Sequence, residues 1–262
     1  MSSAQPINFN DAAAYERFMV PWSRSAGAIF LDWLAPTAGQ MWADIGCGNG
    51  AFSALVTERA APAHICGIDP SDAQVSFARQ QLANKPVELT VGDAMALPYE
   101  NARFDFSVMA LVLFFVPDPQ RAVSEMARVT KPGGTVASYT WDAMRGGMPN
   151  QHVLEELEAL GRSVARPPSA KVSRFEDLKT LWSGIGAAEI ETREVVVQRS
   201  FLDFEDYWNC MVLSSPSGIA GKLSNAEAIE LKKRLQARLP TAANGEITIH
   251  ASASAIKGRI ST

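Results

Sequence analysis

The sequence predicts an α/β fold: a doubly wound, mostly parallel sheet of seven strands with helices on both faces. Three observations predict it. Short apolar runs alternate with helical segments as far as Trp141, the pattern of parallel strands joined by crossover helices. A glycine-rich turn, "GCGNG" at 46–50, follows directly on the first apolar run. The chain, at 262 residues, is long enough to bury a full α/β core.

Each element has a local reason. "MWADI" (Met41–Ile45) is a short apolar strand, and Gly50 to Ala60 reads as the helix after the turn. "HICGID" (His64–Asp69) is the second strand. In "SDAQVSFARQQLAN", Ser71 is an N-cap, and Val75, Ala78 and Leu82 share a face. "VELTVGD" (Val87–Asp93) is the third strand, and "FDFSVMAL" (Phe104–Leu111), apolar nearly throughout, is a central fourth. "DPQRAVSEMARVT" is an amphipathic helix with Val123, Met126 and Val129 inward and an Arg121–Glu125 pair at i, i+4. "KPGG" ends it, and "TVASYTW" (Thr135–Trp141) is strand five.

Beyond Trp141 the rhythm changes. Val153–Ser163 and Phe175–Ser183 read as helices around the loop "RPPSAKVSR". Ala188–Phe201 is a long strand. Two helical stretches follow, near Phe204–Val212 and Ala226–Leu239. Gly245–Gly258 alternates as an outer strand does. With no internal repeat, the chain reads as one domain, 1–262. Residues 1–35 form N-terminal lid helices, 36–141 the binding core, and 142–262 a second half with a helical insertion at about 202–240.

Composition narrows the partners. At 47% hydrophobic and 20% charged, with net charge -4, the chain is neither disordered nor fibrous. No global field favours nucleic acid or an anionic membrane. The basic run Lys232–Arg234 reads as a solvated helix face. Val108–Pro117, the most apolar run, is far short of the ~20 residues a membrane helix needs, and no basic leader precedes an apolar block at the N-terminus. Three cysteines without a CxxC pair suit reduced thiols in a cytoplasm. The expected partner is therefore a small molecule, with no nucleic acid and no membrane insertion, and the chain is a monomer or homodimer.

The glycine turn carries the chemistry. Gly46, Gly48 and Gly50 admit a ligand where a Cβ would exclude it, and the next helix offers free N–H groups. A dinucleotide fingerprint is nearly supplied by Gly46, Gly48 and Ala51. Asp44 favours another ligand: a carboxylate just before the turn repels a pyrophosphate but suits a cationic amino group. Asp69, ending strand two, can take a ribose diol. Asp93, ending strand three, with Ala94 beside it, can read an adenine edge.

"DIGCGNG", "GIDPS", "GDAMALPYENARFDFSVMALVLFFVPDP" and "VTKPGG" resemble, in order, the successive motifs of class I S-adenosylmethionine-dependent methyltransferases. The resemblance covers about residues 40–141 and points to the small-molecule group that includes ubiquinone and menaquinone biosynthesis methyltransferases. It implies a Rossmann-like sheet with its last strand antiparallel. The implied cofactor is S-adenosyl-L-methionine, leaving S-adenosyl-L-homocysteine as product. By position, Asp44, Gly46, Cys47 and Gly48 would hold the methionine end, and Asp69 the ribose. Asp93 and Ala94 would hold adenine with Pro70 and Met95 packing nearby, and Ala110 and Leu111 would line the cofactor. Many relatives carry a histidine in the loop after strand four; this chain has Phe114 and Phe115 there, which makes the mouth apolar.

The expected activity is in-line methyl transfer to a small apolar or aromatic acceptor. Tyr15, Trp22, Phe114, Phe115, Trp141 and Trp208 are candidates to line its pocket. Phe9, Phe18 and Tyr207 join the same aromatic cluster, and Tyr15 and Arg24 are candidates for the cofactor carboxylate. His152 is the weak candidate for a base, and no metal is expected, although Glu155 and Glu156 follow it by one turn. Two alternatives stay open: a non-catalytic S-adenosylmethionine-binding protein, and an NAD-dependent oxidoreductase, which lacks a Tyr-x-x-x-Lys pair.

Overall fold

The computed structural model describes residues 17–164, 166–215 and 219–261. Seven strands form one sheet: β1 (Met41–Ile45), β2 (His64–Asp69), β3 (Val87–Val91), β4 (Phe104–Ala110), β5 (Thr130–Trp141), β6 (Ala187–Phe201) and β7 (Ile247–Ile260). Their order is β3-β2-β1-β4-β5-β7-β6. β7 runs antiparallel to both its neighbours, and the other pairings are parallel. The order reverses between β1 and β4, which opens a crevice at the carboxyl ends of those strands.

The helices are α1 (Val20–Leu34), α2 (Ala51–Arg59), α3 (Asp72–Gln81), α4 (Pro119–Val129), α5 (Gln151–Ala159), α6 (Phe175–Gly184), α7 (Phe204–Trp208) and α8 (Asn225–Arg238). No described helix is long and apolar enough to cross a membrane. α3 starts at Ser71, whose hydroxyl accepts from the Gln74 amide, and α4 at Asp118, which accepts from Arg121 with Pro119 in the first turn. α8 begins with a reciprocal capping box between Ser224 and Glu227.

β1 and β4 are the centre of the core. Trp42, Ala43 and Ile45 are buried, as are Val108 and Met109, and Trp42 stacks on Phe106 with ring centroids 4.4 Å apart. α1 buries Trp22, Ala26, Gly27, Phe30, Leu31 and Leu34. Gly27 lets it come close: a Cβ there would stand 3.0 Å from Leu55 and 3.1 Å from the Tyr139 hydroxyl.

Several expectations are revised. The last strand, β7, is interior, and β6 is the edge. The Ala/Ser alternation of "HASASA" mimics an outer strand, but small serines such as Ser254 fit inside a sheet covered on both faces. On β6 the exposed positions include Glu189, Glu191, Arg193 and Glu194, charges that suit an edge. β5 begins at Thr130 and not Thr135, with a register shift opposite Phe104–Phe106. The segment after α7 continues as a π-helix, Asn209–Leu213. Arg128, not Arg121, carries the ion pair with Glu125 (2.7 Å), while Arg121 Nε donates to the Met95 carbonyl.

Candidate functional site

The crevice at the strand reversal is a cavity of about 690 Å³. One wall is the end of β1 and the glycine turn, from Asp44 to Asn49. A second is the end of β2 and the start of α3, with Asp69 and Pro70. Asp93 and Ala94 come from the turn after β3, and Ala110 and Leu111 from the end of β4. Ser23 and Arg24 of α1, Phe52 and Leu55 of α2, Tyr139 of β5, and Val112, Phe115, Val116 and Pro117 also line it.

The turn is held by β2. The amides of Gly46 and Cys47 both donate to the Ile68 carbonyl, at 2.7 and 3.0 Å. Gly46 takes φ +78°, and a Cβ there would lie 2.5 Å from Val112. Gly48, at φ +52°, has no described residue beyond its chain neighbours within 4 Å of where its Cβ would be. One position therefore needs glycine for packing, the other leaves room for a ligand. Across the cavity, Leu111 also adopts a left-handed φ of +63°, a conformation that costs a side-chain-bearing residue ~1–2 kcal/mol. Its amide is tied to the Tyr139 carbonyl (2.8 Å).

The three strand-end acids differ. Asp44 is buried; its Oδ2 accepts from Ser53 Oγ at 2.6 Å, and its Oδ1 is buried with no hydrogen-bond partner among the described residues. Burial pushes its carboxyl up to about 6, the nearby Asp69 charge adds to the rise, and the Ser53 hydrogen bond opposes it. An unpartnered buried carboxylate oxygen in a cavity wall is costly unless a donor arrives there. Asp69 is held in one plane: Oδ2 accepts from the Gly48 amide (3.0 Å) and Oδ1 from the Ser71 amide (2.9 Å). Burial raises its carboxyl, against those two hydrogen bonds. Asp93 is exposed, with Oδ1 accepting from the Met95 amide at 2.8 Å.

The structure brings together most of the residues singled out by sequence. Asp44, Gly46, Cys47, Gly48, Asp69, Pro70, Asp93, Ala94, Ala110, Leu111 and Phe115 all line the cavity. Arg24 joins them while pairing with Glu58. Met95 does not; it packs against the core behind the Asp93 turn. Trp22, Phe114, Trp141 and Trp208 are likewise not among the lining residues. All four are buried core side chains, because each sits on the inward face of its element. Tyr15 and Phe9 fall outside the described residues.

His152 stands half-buried on α5, away from the lining set, and its Nδ1 has no hydrogen-bond partner among the described residues. Burial, aided by the Arg238 charge, lowers its pKa. Glu155 and Glu156 bond to Arg238 instead of forming a cluster with it. Sequence reasoning missed Ser53, Tyr139 and Val112. Their signal was weak, since a serine on an apolar helix face and a tyrosine inside an apolar strand read as core.

Residues 43–138 match the family model described as "Methyltransferase domain". The match falls inside the span, about residues 40–141, where the four motifs resemble class I methyltransferases. An uncharacterised 37.1 kDa protein of a Streptomyces fradiae transposon is 31% identical over 159 residues, 55% of this chain and 46% of that protein. A demethylmenaquinone methyltransferase of Halalkalibacterium halodurans is 36% identical over 102 residues, 37% of this chain and 42% of that protein. The chain thus spans less than half the length of these curated relatives. Among solved structures, phosphoethanolamine N-methyltransferase 2 of Haemonchus contortus, in complex with phosphomonomethylethanolamine and S-adenosylhomocysteine, superposes with TM-score 0.59. It is 16% identical, over 95% of this chain and 57% of that one, a likeness of fold.

Proposed function

We propose that this protein is an S-adenosylmethionine-dependent methyltransferase acting on a small apolar or aromatic organic molecule. The observation that carries the reading is the unpartnered Asp44 Oδ1, buried in the wall of a cavity whose rim holds two further strand-end acids. A cationic amino group satisfies that oxygen, and a pyrophosphate does not. The family match over residues 43–138 and the demethylmenaquinone methyltransferase relative support the same reading.

When bound, the cofactor supplies a methyl group on a sulfonium, already activated for in-line displacement. The chain's part is to place and to desolvate. Asp44 receives the amino group, and the open space before Gly48 admits the methionine end beside Cys47. Asp69, its plane fixed by two backbone amides, keeps lone pairs for a ribose diol. Asp93 and Ala94 face the base, with Pro70, Ala110 and Leu111 along the wall. Phe115, Val112, Val116, Phe52 and Leu55 form an apolar end that keeps water from the reacting centre. His152 has no part in the transfer. The chain works as a single domain, and its three free thiols, Cys47, Cys66 and Cys210, suit a reducing cytoplasm.

The test is thermal unfolding with S-adenosylhomocysteine, S-adenosylmethionine, NADH or no ligand. A native-state ligand stabilises by roughly 2.7 kcal/mol at a hundredfold excess over Kd. A shift with the adenosyl ligands only, lost in Asp69→Ala, is expected. Transfer of labelled methyl to quinone-like or aromatic acceptors then separates an enzyme from a protein that only binds. A shift with NADH alone overturns the reading.

A further inference from the structure

We propose that His64, Cys66 and Glu88, none of which lines the cavity, form a second site that binds a thiophilic divalent metal of the zinc class. Strand geometry makes the cluster. His64 and Cys66 are two apart on β2, so their side chains leave the same face of the sheet. Glu88 pairs with Cys66 across the β2–β3 ladder, which puts its side chain on that face too. One ligand atom from each residue lies within 4.8 Å of the others, and His64 Nε2 is 3.7 Å from a Glu88 oxygen. Zinc bonds of about 2.3 Å to sulfur and about 2.0–2.2 Å to nitrogen or oxygen put tetrahedral ligands roughly 3.3–3.6 Å apart. A contraction of about 1 Å closes the set, and Glu88, with a side chain 64% exposed, is free to make it.

The donors are a thiol, an imidazole and a carboxylate, the mixture that zinc and cobalt accept and that magnesium and calcium do not favour. Metal binding displaces the Cys66 proton to solvent and leaves a fourth position for water. Two neighbours bear on the site. The Tyr99 hydroxyl is buried without a hydrogen-bond partner among the described residues, and it interacts electrostatically with Cys66 and Glu88. Arg103 donates to Cys66 Sγ at a long 3.5 Å, with its guanidinium against the Tyr99 and Phe104 rings. Arg103 is exposed, so it can swing away, and its charge opposes a cation at the sulfur. In the free protein it covers the thiol that the metal takes.

The experiment is a cobalt(II) titration of the full chain, read by the near-ultraviolet sulfur-to-cobalt charge-transfer band, with zinc competition. A saturable band that zinc abolishes is expected, absent in Cys66→Ser. Because Cys66 is buried, the exposed Glu88→Gln gives an independent reading: affinity falls by about tenfold or more. Arg103→Gln tightens binding by removing the competing charge. Lack of a band in the wild type, its survival in Cys66→Ser, or unchanged affinity in both Glu88→Gln and Arg103→Gln overturns the proposal. The adenosyl-ligand thermal shift reads the cavity separately and does not change in Glu88→Gln.

Discussion

Replacing Asp44 by Asn separates what its carboxylate costs the fold from what it contributes to binding. The group's pKa rises from 3.8 in the open chain to about 6 in the fold. That is roughly 2 units, or ~3 kcal/mol of penalty on the charged form. The folded state therefore holds its proton more tightly than the unfolded one. This stabilises the fold fully below about pH 4, fades as pH rises through about 6, and is absent at pH 8. Asn is neutral, nearly the same shape, and still accepts from Ser53. At pH 8 Asp44→Asn should raise the stability of the ligand-free protein by ~1–3 kcal/mol, a Tm increase of about 2–12 °C at ~2–4 °C per kcal/mol. At pH 5, between the unfolded value of 3.8 and the folded value of about 6, the difference should fall to roughly half, and it should vanish only below about pH 4. The same substitution should abolish most of the S-adenosylhomocysteine shift, because an amide cannot replace the carboxylate opposite an ammonium. Differential scanning fluorimetry at both pH values with and without ligand checks all four corners. A variant less stable than wild type at pH 8, or a gain that does not depend on pH, refutes the electrostatic account; an intact ligand shift refutes the binding role.

Three further outcomes follow from the packing. Phe114→Ala empties a fully buried ring site and should cost ~3–5 kcal/mol in urea unfolding, whereas Phe115→Ala, on the cavity wall, should cost less and raise KM for the acceptor. Gly46→Ala should destabilise by ~1–3 kcal/mol through its positive φ and the Val112 overlap, and Val112→Ala in the same chain should recover part of the loss. Arg128 donates to Glu125, to Asn101 and to the carbonyls of Leu97 and Tyr99. Arg128→Ala should cost ~1–3 kcal/mol and speed amide exchange in the turn that carries Asp93.

How much of this was legible depends on how local each signal is. The alternation of β1 to β5 with their helices is written in short-range apolar patterns and in caps such as Ser71 and Asp118, so the parallel core could be read directly. The acids Asp44, Asp69 and Asp93 were legible because the first two stand at the ends of recognisable strands and Asp93 two residues past the third, β3 (Val87–Val91). The aromatic residues were not: a Trp reads alike whether it lines a cavity or fills a core, and Trp22 and Trp208 on their helices, like Trp141 at the end of β5, turn inward only once the elements pack together.

By itself the sequence determined the fold class, the first five strands along the chain and the acids at or just past their ends, because strand, helix and turn propensities act within a few residues. Tertiary structure alone decided that β7 lies inside the sheet and β6 at its edge, since the choice depends on which strands find a partner across distant chain. It also decided that Ser53 and not a charged group meets Asp44, that one carboxylate oxygen there is left without a donor, and that Glu88 comes to stand beside Cys66. Each of these depends on side chains that the sequence keeps apart and only packing brings within hydrogen-bond or Coulomb range.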